Sequence, residues 1–153
     1  MGFNFLLLCF FIIGIQSQAQ GDTNNTYEES ILVDINDEDL VWGGCPPFMP
    51  EGCSIAVLHG DPAKRNLDIL FKVPANAFIP NHWHHSAERM ILLSGELEIT
   101  YEGEKTQTMT TGMYAYGPSK KPHTAKCGKK EPCVIFIAFE EPLDAFPLVH
   151  KHE

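Results

Sequence analysis

Residues 81–88 read Asn-His-Trp-His-His-Ser-Ala-Glu, and no other stretch restricts the fold as tightly. One residue separates His82 from His84. On an extended strand alternate side chains share a face, so both imidazoles point one way while Trp83 and His85 point the other. Only the core side of such a strand can gather the pair with a carboxylate. Glu88 joins them if the chain turns at Ser86-Ala87, and His123 is the well-placed histidine downstream. Three nitrogens and one oxygen suit a divalent transition metal. The remaining sequence must then build an enclosed β architecture around them.

It has the means to do so. The 153 residues suffice for one domain with a real core, and 12 Gly and 11 Pro punctuate short β-branched and aromatic runs. No long segment has helical periodicity. The pattern predicts an edge strand at 31–35, strands at 54–59 and 66–73, and a hairpin joining 89–93 to 97–101 across Ser94-Gly95. Residues 105–109 should return against that hairpin, followed by a strand at 112–116. A last pair, 122–126 with 134–139, is expected across a turn bracketed by Cys127 and Cys133. Strands this short close into a jelly-roll sandwich or small barrel, so the fold class is all-β and single-domain.

Net charge is -9, from 20 acidic and 11 basic residues. The basic residues form no stripe, which excludes nucleic acid as an expected partner. Lys120-Lys121 and Lys129-Lys130 read as solvated loop charges, the alternative being that Lys120 stands at a pocket mouth and steers an anion.

Residues 3–15 form an apolar run too short to span a bilayer comfortably, and Ser17 and Ala19 suit cleavage after Ala19. Residues 1–19 are therefore read as a signal peptide. No Lys or Arg precedes the run, so an uncleaved anchor is the competing reading. Residues 20–30 are expected to be a mobile leader, 31–149 the β-barrel domain and 150–153 a tail, in a secreted or periplasmic protein. Cleavage leaves Cys45, Cys53, Cys127 and Cys133, an even number suited to an oxidising compartment. Their spacing suggests two local bridges, Cys45 to Cys53 and Cys127 to Cys133, with buried or free thiols as the alternative. Asn24-Asn25-Thr26 fits an N-glycosylation acceptor.

The pattern as a whole resembles the cupin superfamily. His82, His84, Glu88 and Gly95 match its first motif, and Gly112, Pro118 and His123 match its second, both at the family spacing. Asn76 and Lys120 stand where the family has Gly, and Cys127 where it has Asn. The resemblance implies a cupin-type jelly-roll β-barrel in which His82, His84, Glu88 and His123 bind one divalent transition metal, Mn, Zn, Cu or Fe. An oxidising compartment tilts that choice away from Fe. It also implies a small-molecule substrate, an oxidoreductase of dioxygenase type with Glu88 as its catalytic base, and a homodimer formed through edge strands. Two alternatives remain. One is a non-catalytic module that binds or senses a metal or small ligand, and the other is a metal-free barrel whose histidines hydrogen-bond in the core.

Other residues have humbler expectations. His59 reads as a strand-end residue, His85 as an outward one, and His150 and His152 as solvated. Trp83, Phe78, Met90, Tyr114 and Tyr116 are assigned to pocket lining or barrel core. Loops 43–52 and 118–122 are expected to shape the pocket rim.

Overall fold

A computed structural model describes residues 28–148, so the predicted signal peptide, most of the leader, Asn24, His150 and His152 lie outside the described residues. The chain divides into two compact units, the first ending at Leu32 and the second beginning at Val33. Residues 28–32 of the first are exposed and carry no regular structure.

The second unit contains eleven strands and, among the described residues, no helix. They are β1 Trp42–Gly44, β2 Ser54–His59, β3 Leu67–Val73, β4 Phe78–Trp83, β5 Glu88–Ser94 and β6 Glu96–Tyr101. The series continues with β7 Gln107–Thr110, β8 Tyr114–Gly117, β9 His123–Cys127, β10 Cys133–Phe139 and β11 Phe146–Pro147. One sheet has the order β1-β2-β3-β10-β5-β8 and the other β11-β4-β9-β6-β7. Every pairing is antiparallel. This is the all-β jelly roll that the turn spacing predicts.

Two expected pairings and one expected strand are corrected. β5 and β6 do not form a hairpin, because Gly95 passes the chain from one sheet to the other. A Cβ at Gly95, where φ is +85°, would lie 2.9 Å from the Pro132 carbonyl and 3.0 Å from Cys133 Sγ. Only glycine permits so close a crossing. Likewise β9 and β10 lie in different sheets. β10, Cys-Val-Ile-Phe-Ile-Ala-Phe, has no polar residue to offer solvent, and it takes a central place between β3 and β5. Residues 31–35 form no strand; Ile31, Val33 and Ile35 favour one but no strand pairs with them, and Leu32 is fully exposed.

Between the sheets lie Leu67, Ile69, Val73, Leu92, Leu97, Ile99, Ile135 and Ile137, all buried. These alternate along their strands with outward-facing residues, which fixes register, since a slip of one residue would expose the whole set. Both predicted bridges are formed. Cys45 is bonded to Cys53 in the loop before β2, and Cys127 at the end of β9 to Cys133 at the start of β10. The second bridge therefore ties one sheet to the other. Paired cysteines of this kind suit an oxidising environment.

The two missing motif glycines have a conformational explanation. Asn76 has φ 64° and Lys120 φ 60°, both in the left-handed region that glycine favours. Asparagine tolerates that region, whereas lysine is held there by a hydrogen bond from its backbone N–H to the His84 carbonyl at 2.7 Å.

Candidate metal centre

The cluster begins with an irregularity in β4. Ile79 and His82, three residues apart, would face opposite ways on a regular strand, yet both are buried. A register shift against β9 between these residues absorbs the odd residue and re-aims the imidazole inward. Beyond it, the alternation read from the sequence holds. His82 and His84 are buried, while His85 is exposed.

Register then assembles the remaining partners. His123 on β9 stands directly opposite His82 on β4 and opposite Tyr101 on β6. Glu88 comes from the other sheet, as the first residue of β5. The chain turns between them at Ser86, as expected. The buried Ser86 hydroxyl donates to the Ala87 carbonyl at 2.7 Å and accepts the Glu140 and Glu141 N–H groups at 2.8 and 3.1 Å.

Three imidazoles are oriented by backbone carbonyls. His82 Nδ1 meets the Pro80 carbonyl at 2.7 Å, His123 Nδ1 the Lys121 carbonyl at 3.1 Å, and His84 Nδ1 the Asp144 carbonyl. A carbonyl only accepts, so each Nδ1 carries the hydrogen and each Nε2 keeps a free lone pair. One ligand atom from each of His82, His84 and His123 lies within 4.8 Å of the others. His84 Nε2 is buried with no hydrogen-bond partner. Glu88 Oε1 is 3.4 Å from His84 Nε2, and Oε2 is 3.6 Å from His123 Nε2. Converging lone pairs, an orphaned buried nitrogen and an adjacent carboxylate fit a divalent transition metal, so the three histidines could hold one. Histidines that merely satisfied one another in a core would not leave a nitrogen of this kind bare.

Electrostatics favour the same state. Burial, and then the neighbouring His123 and His84, push the His82 pKa down from 6.5 to about 3. Burial also lowers that of His123, against the opposing pull of Glu88. Neutral imidazole is the metal-binding form, so at neutral pH His82 needs to lose no proton. The folded state holds His82 neutral while the unfolded chain protonates it below about 6.5, so stability must fall as pH drops from there toward about 3. Urea unfolding of metal-free protein at pH 7.5, 5.5 and 4.5 should show this decline, with a shallower slope in His82→Gln. Equal slopes in the two proteins would contradict it.

An outer strap holds the cluster in place. Asp144 supplies its carbonyl to His84, while its carboxylate accepts the His85 N–H at 2.9 Å and faces His85 Nδ1 at 2.6 Å. Trp83 stacks on Phe146 with ring centroids 4.7 Å apart. The residues facing away from the cluster thus anchor the segment that carries it.

A cavity of about 430 Å³ opens onto His82, His84 and Glu88. A much smaller one, about 40 Å³, lies on the other side, lined by His82, Glu88, His123 and Tyr101 among apolar residues. Gly117 adjoins this inner space. A Cβ there would come within 2.4 Å of Tyr101 Oη and 3.0 Å of Glu88 Oε2.

The sequence profile of the cupin domain matches residues 69–139, a span that holds all three histidines, Glu88 and most of both sheets. Those residues form a cupin domain. Solved structures share this cupin's fold. The polyketide cyclase RemF of Streptomyces resistomycificus aligns with TM-score 0.66 and 17% identity over 79% of this chain and 88% of the cyclase. The DMSP lyase DddQ of Ruegeria pomeroyi aligns with TM-score 0.61 and 19% identity over 71% of this chain, which spans only 60% of the lyase. Oxalate decarboxylase of Bacillus subtilis gives TM-score 0.56 and 22% identity over 68% of this chain and 30% of the enzyme. At such identities the likeness concerns the fold alone, and three different reactions are found on it. No curated protein matches this cupin's sequence significantly.

Sequence reasoning placed the four polar residues together but misplaced several neighbours. Tyr114 and Tyr116, assigned to pocket or core, are 59% and 53% exposed on the outer face of edge strand β8, and Phe78 is 56% exposed. Trp83 packs outside, against Phe146. Met90 does line the inner cavity. Residues 118–122 do not contribute to the larger cavity, and Lys120 is not at its wall, whereas Gly44, Cys45, Pro46 and Met49 are.

Tyr101 was missed. Its hydroxyl is buried without a hydrogen-bond partner, and burial and then Glu88 raise its pKa, so the phenol stays protonated. The pattern Leu97-x-Ile99-x-Tyr101 marks it as inward-facing, but only strand register reveals His123 opposite. Removing an unsatisfied buried hydroxyl relieves its desolvation cost. Tyr101→Phe should stabilise metal-free protein by about 1 kcal/mol. Destabilisation in chemical unfolding would show instead that the hydroxyl has a partner in solution.

Proposed function

We propose that this cupin binds one divalent transition metal through His82, His84, His123 and Glu88 and acts on a small molecule as an oxidoreductase of dioxygenase type. The observation that carries the reading is the convergence of three imidazole lone pairs, one on an orphaned buried nitrogen, with His82, His84 and Glu88 also lining a ligand-sized cavity. Mn, Zn, Cu and Fe all suit a three-nitrogen, one-oxygen set. A redox-active ion there would supply Lewis-acid polarisation and one-electron chemistry.

The chain's own groups do the remaining tasks. The apolar walls exclude water, the carbonyl-bonded imidazoles hold their orientation, and Glu88 is the base that accepts a substrate proton. Tyr101, protonated and facing the inner cavity, is a donor on the opposite side. In the overall reaction dioxygen is the co-reactant, and both its atoms enter the product. Secretion into an extracellular or periplasmic space after removal of residues 1–19 belongs to the same reading, as does a homodimer formed along a sheet edge. Nucleic acid is not a partner.

A second reading has support in the two cavities' lining, where, beyond the four ligands, the only titratable groups among the described residues are Asp144 and Tyr101. It is a non-catalytic module that holds a metal or small ligand. Elemental mass spectrometry of untagged protein comes first, followed by oxygen-electrode assays of the metal-loaded chain with a panel of small chelating molecules. About one ion per chain with substrate-dependent oxygen uptake is the expected result. Metal without uptake would favour the binding module, and no retained metal after reconstitution with each candidate would overturn both.

A further inference from the structure

The lining of the larger cavity narrows the chemistry of its occupant. Its walls are Ile55, Ile69, Phe71, Ile137, Phe139 and Leu143, and polar side chains appear only as His82, His84, Glu88 and Asp144. The Asp144 carboxylate is already committed to His85. No lysine or arginine belongs to the lining. Arg65 pairs with Glu141 at 2.8 Å, Arg89 with Glu140 and Lys121 with Glu104, while Lys72 lies over the Trp42 ring. With no cationic side chain on its wall, the space itself offers an anion only a bound metal.

Charge then sets a limit. A divalent ion beside one carboxylate leaves a single positive charge at the cluster. A chelator that loses one proton on binding cancels it, whereas a dianion leaves an uncompensated negative charge against aliphatic walls, where desolvation is costly. Size points the same way, because about 430 Å³ lies at the small end of ligand pockets. The outer boundary is apolar too. Cys45, Pro46 and Met49 contribute to it from the bridged loop, and the Phe48 ring lies 6.0 Å from that of His82.

We infer that this pocket selects uncharged, largely apolar small molecules that present a chelating pair of oxygens at one end and a hydrocarbon or aromatic body to the bridged loop. The inference rests on the metal reading above and adds a substrate class to it. It also separates this chain from any role in handling small dicarboxylates, despite its likeness in fold to a decarboxylase of oxalate.

Three probes with the same five-membered chelate ring test it on the full chain loaded with Co(II). Benzohydroxamic acid is neutral in solution and has an aromatic body, acetohydroxamic acid has the same head without the body, and oxalate has two charges and no body. Binding is followed by calorimetry and by the visible spectrum of the cobalt. Benzohydroxamic acid should bind at least about ten-fold more tightly than acetohydroxamic acid, as burial of a ring requires. Oxalate should bind weakest, and Met49→Lys should improve oxalate binding by about ten-fold by adding a cation at the pocket wall. If oxalate binds the parent chain as tightly as benzohydroxamic acid, the inference fails while the metal site stands. Equal binding of benzohydroxamic acid to cobalt-free protein would remove the chelating head from the argument. Failure to retain cobalt, measured separately, would overturn the metal reading and the inference together.

Discussion

Replacing His82 and His84 together by alanine should reduce the metal content of the protein from about one divalent ion per chain to none. The two residues provide two of the three converging nitrogens, and the remaining His123 and Glu88 cannot close a cage. Loss should persist at metal concentrations far above those that saturate the parent, since each missing ligand removes a bond and its orientation by the backbone. Secondary structure should survive, because His82 is near the end of β4, His84 just follows it, and the central core residues lie elsewhere. Elemental mass spectrometry paired with circular dichroism reads both outcomes. A folded double variant that retains stoichiometric metal would sink the site assignment. An exchange of Asp144 for alanine is a graded companion, because it releases His85 while leaving every nitrogen in place. Disturbing such supporting contacts typically lowers metal affinity by about 10–100-fold.

Removal of the Cys127–Cys133 bridge should produce the largest loss of stability among single structural changes. Both cysteines are fully buried, and the bond joins the last residue of β9 to the first of β10, in opposite sheets. Closing so short a loop contributes about 2–3 kcal/mol through the unfolded chain. Replacement by alanine also empties space at the point where Gly95 crosses against Cys133 Sγ. Cys127→Ala/Cys133→Ala should therefore lose about 2–4 kcal/mol in denaturant unfolding. The corresponding change at Cys45 and Cys53 should cost less, because those residues bridge a surface loop. Equal losses at the two bridges would contradict the distinction between them.

The extent to which the sequence disclosed this structure differs between its levels. Face alternation around His82, Trp83, His84 and His85 was legible because a two-residue period is local and needs no knowledge of partners. The identity of the cluster was legible through spacing, with Glu88 and His123 at the family intervals. Strand pairing was not. Ser94-Gly95 and the Cys127 to Cys133 turn look like hairpin connections, and only the demand of β10 for a neighbour on both sides separates them into sheet crossings. Tyr114 and Tyr116 misled because aromatic side chains in a strand imply burial, yet β8 is an edge strand whose outer face is covered by nothing described. Tyr101 escaped notice for the converse reason. Its role depends on which strand lies beside β6, a long-range fact that no local pattern contains.

The placement of Glu88 on one sheet and the histidines on or beside the other has a practical corollary. An ion held by all four would act as a removable staple across the sandwich, present or absent according to the free metal concentration. Melting temperature would then be a titration signal in its own right, rising logarithmically once free metal exceeds its dissociation constant. Unfolding curves taken across a metal-buffer series could rank candidate ions for this protein before any substrate is known, and a chelator in a purification buffer would register as an apparent mutation.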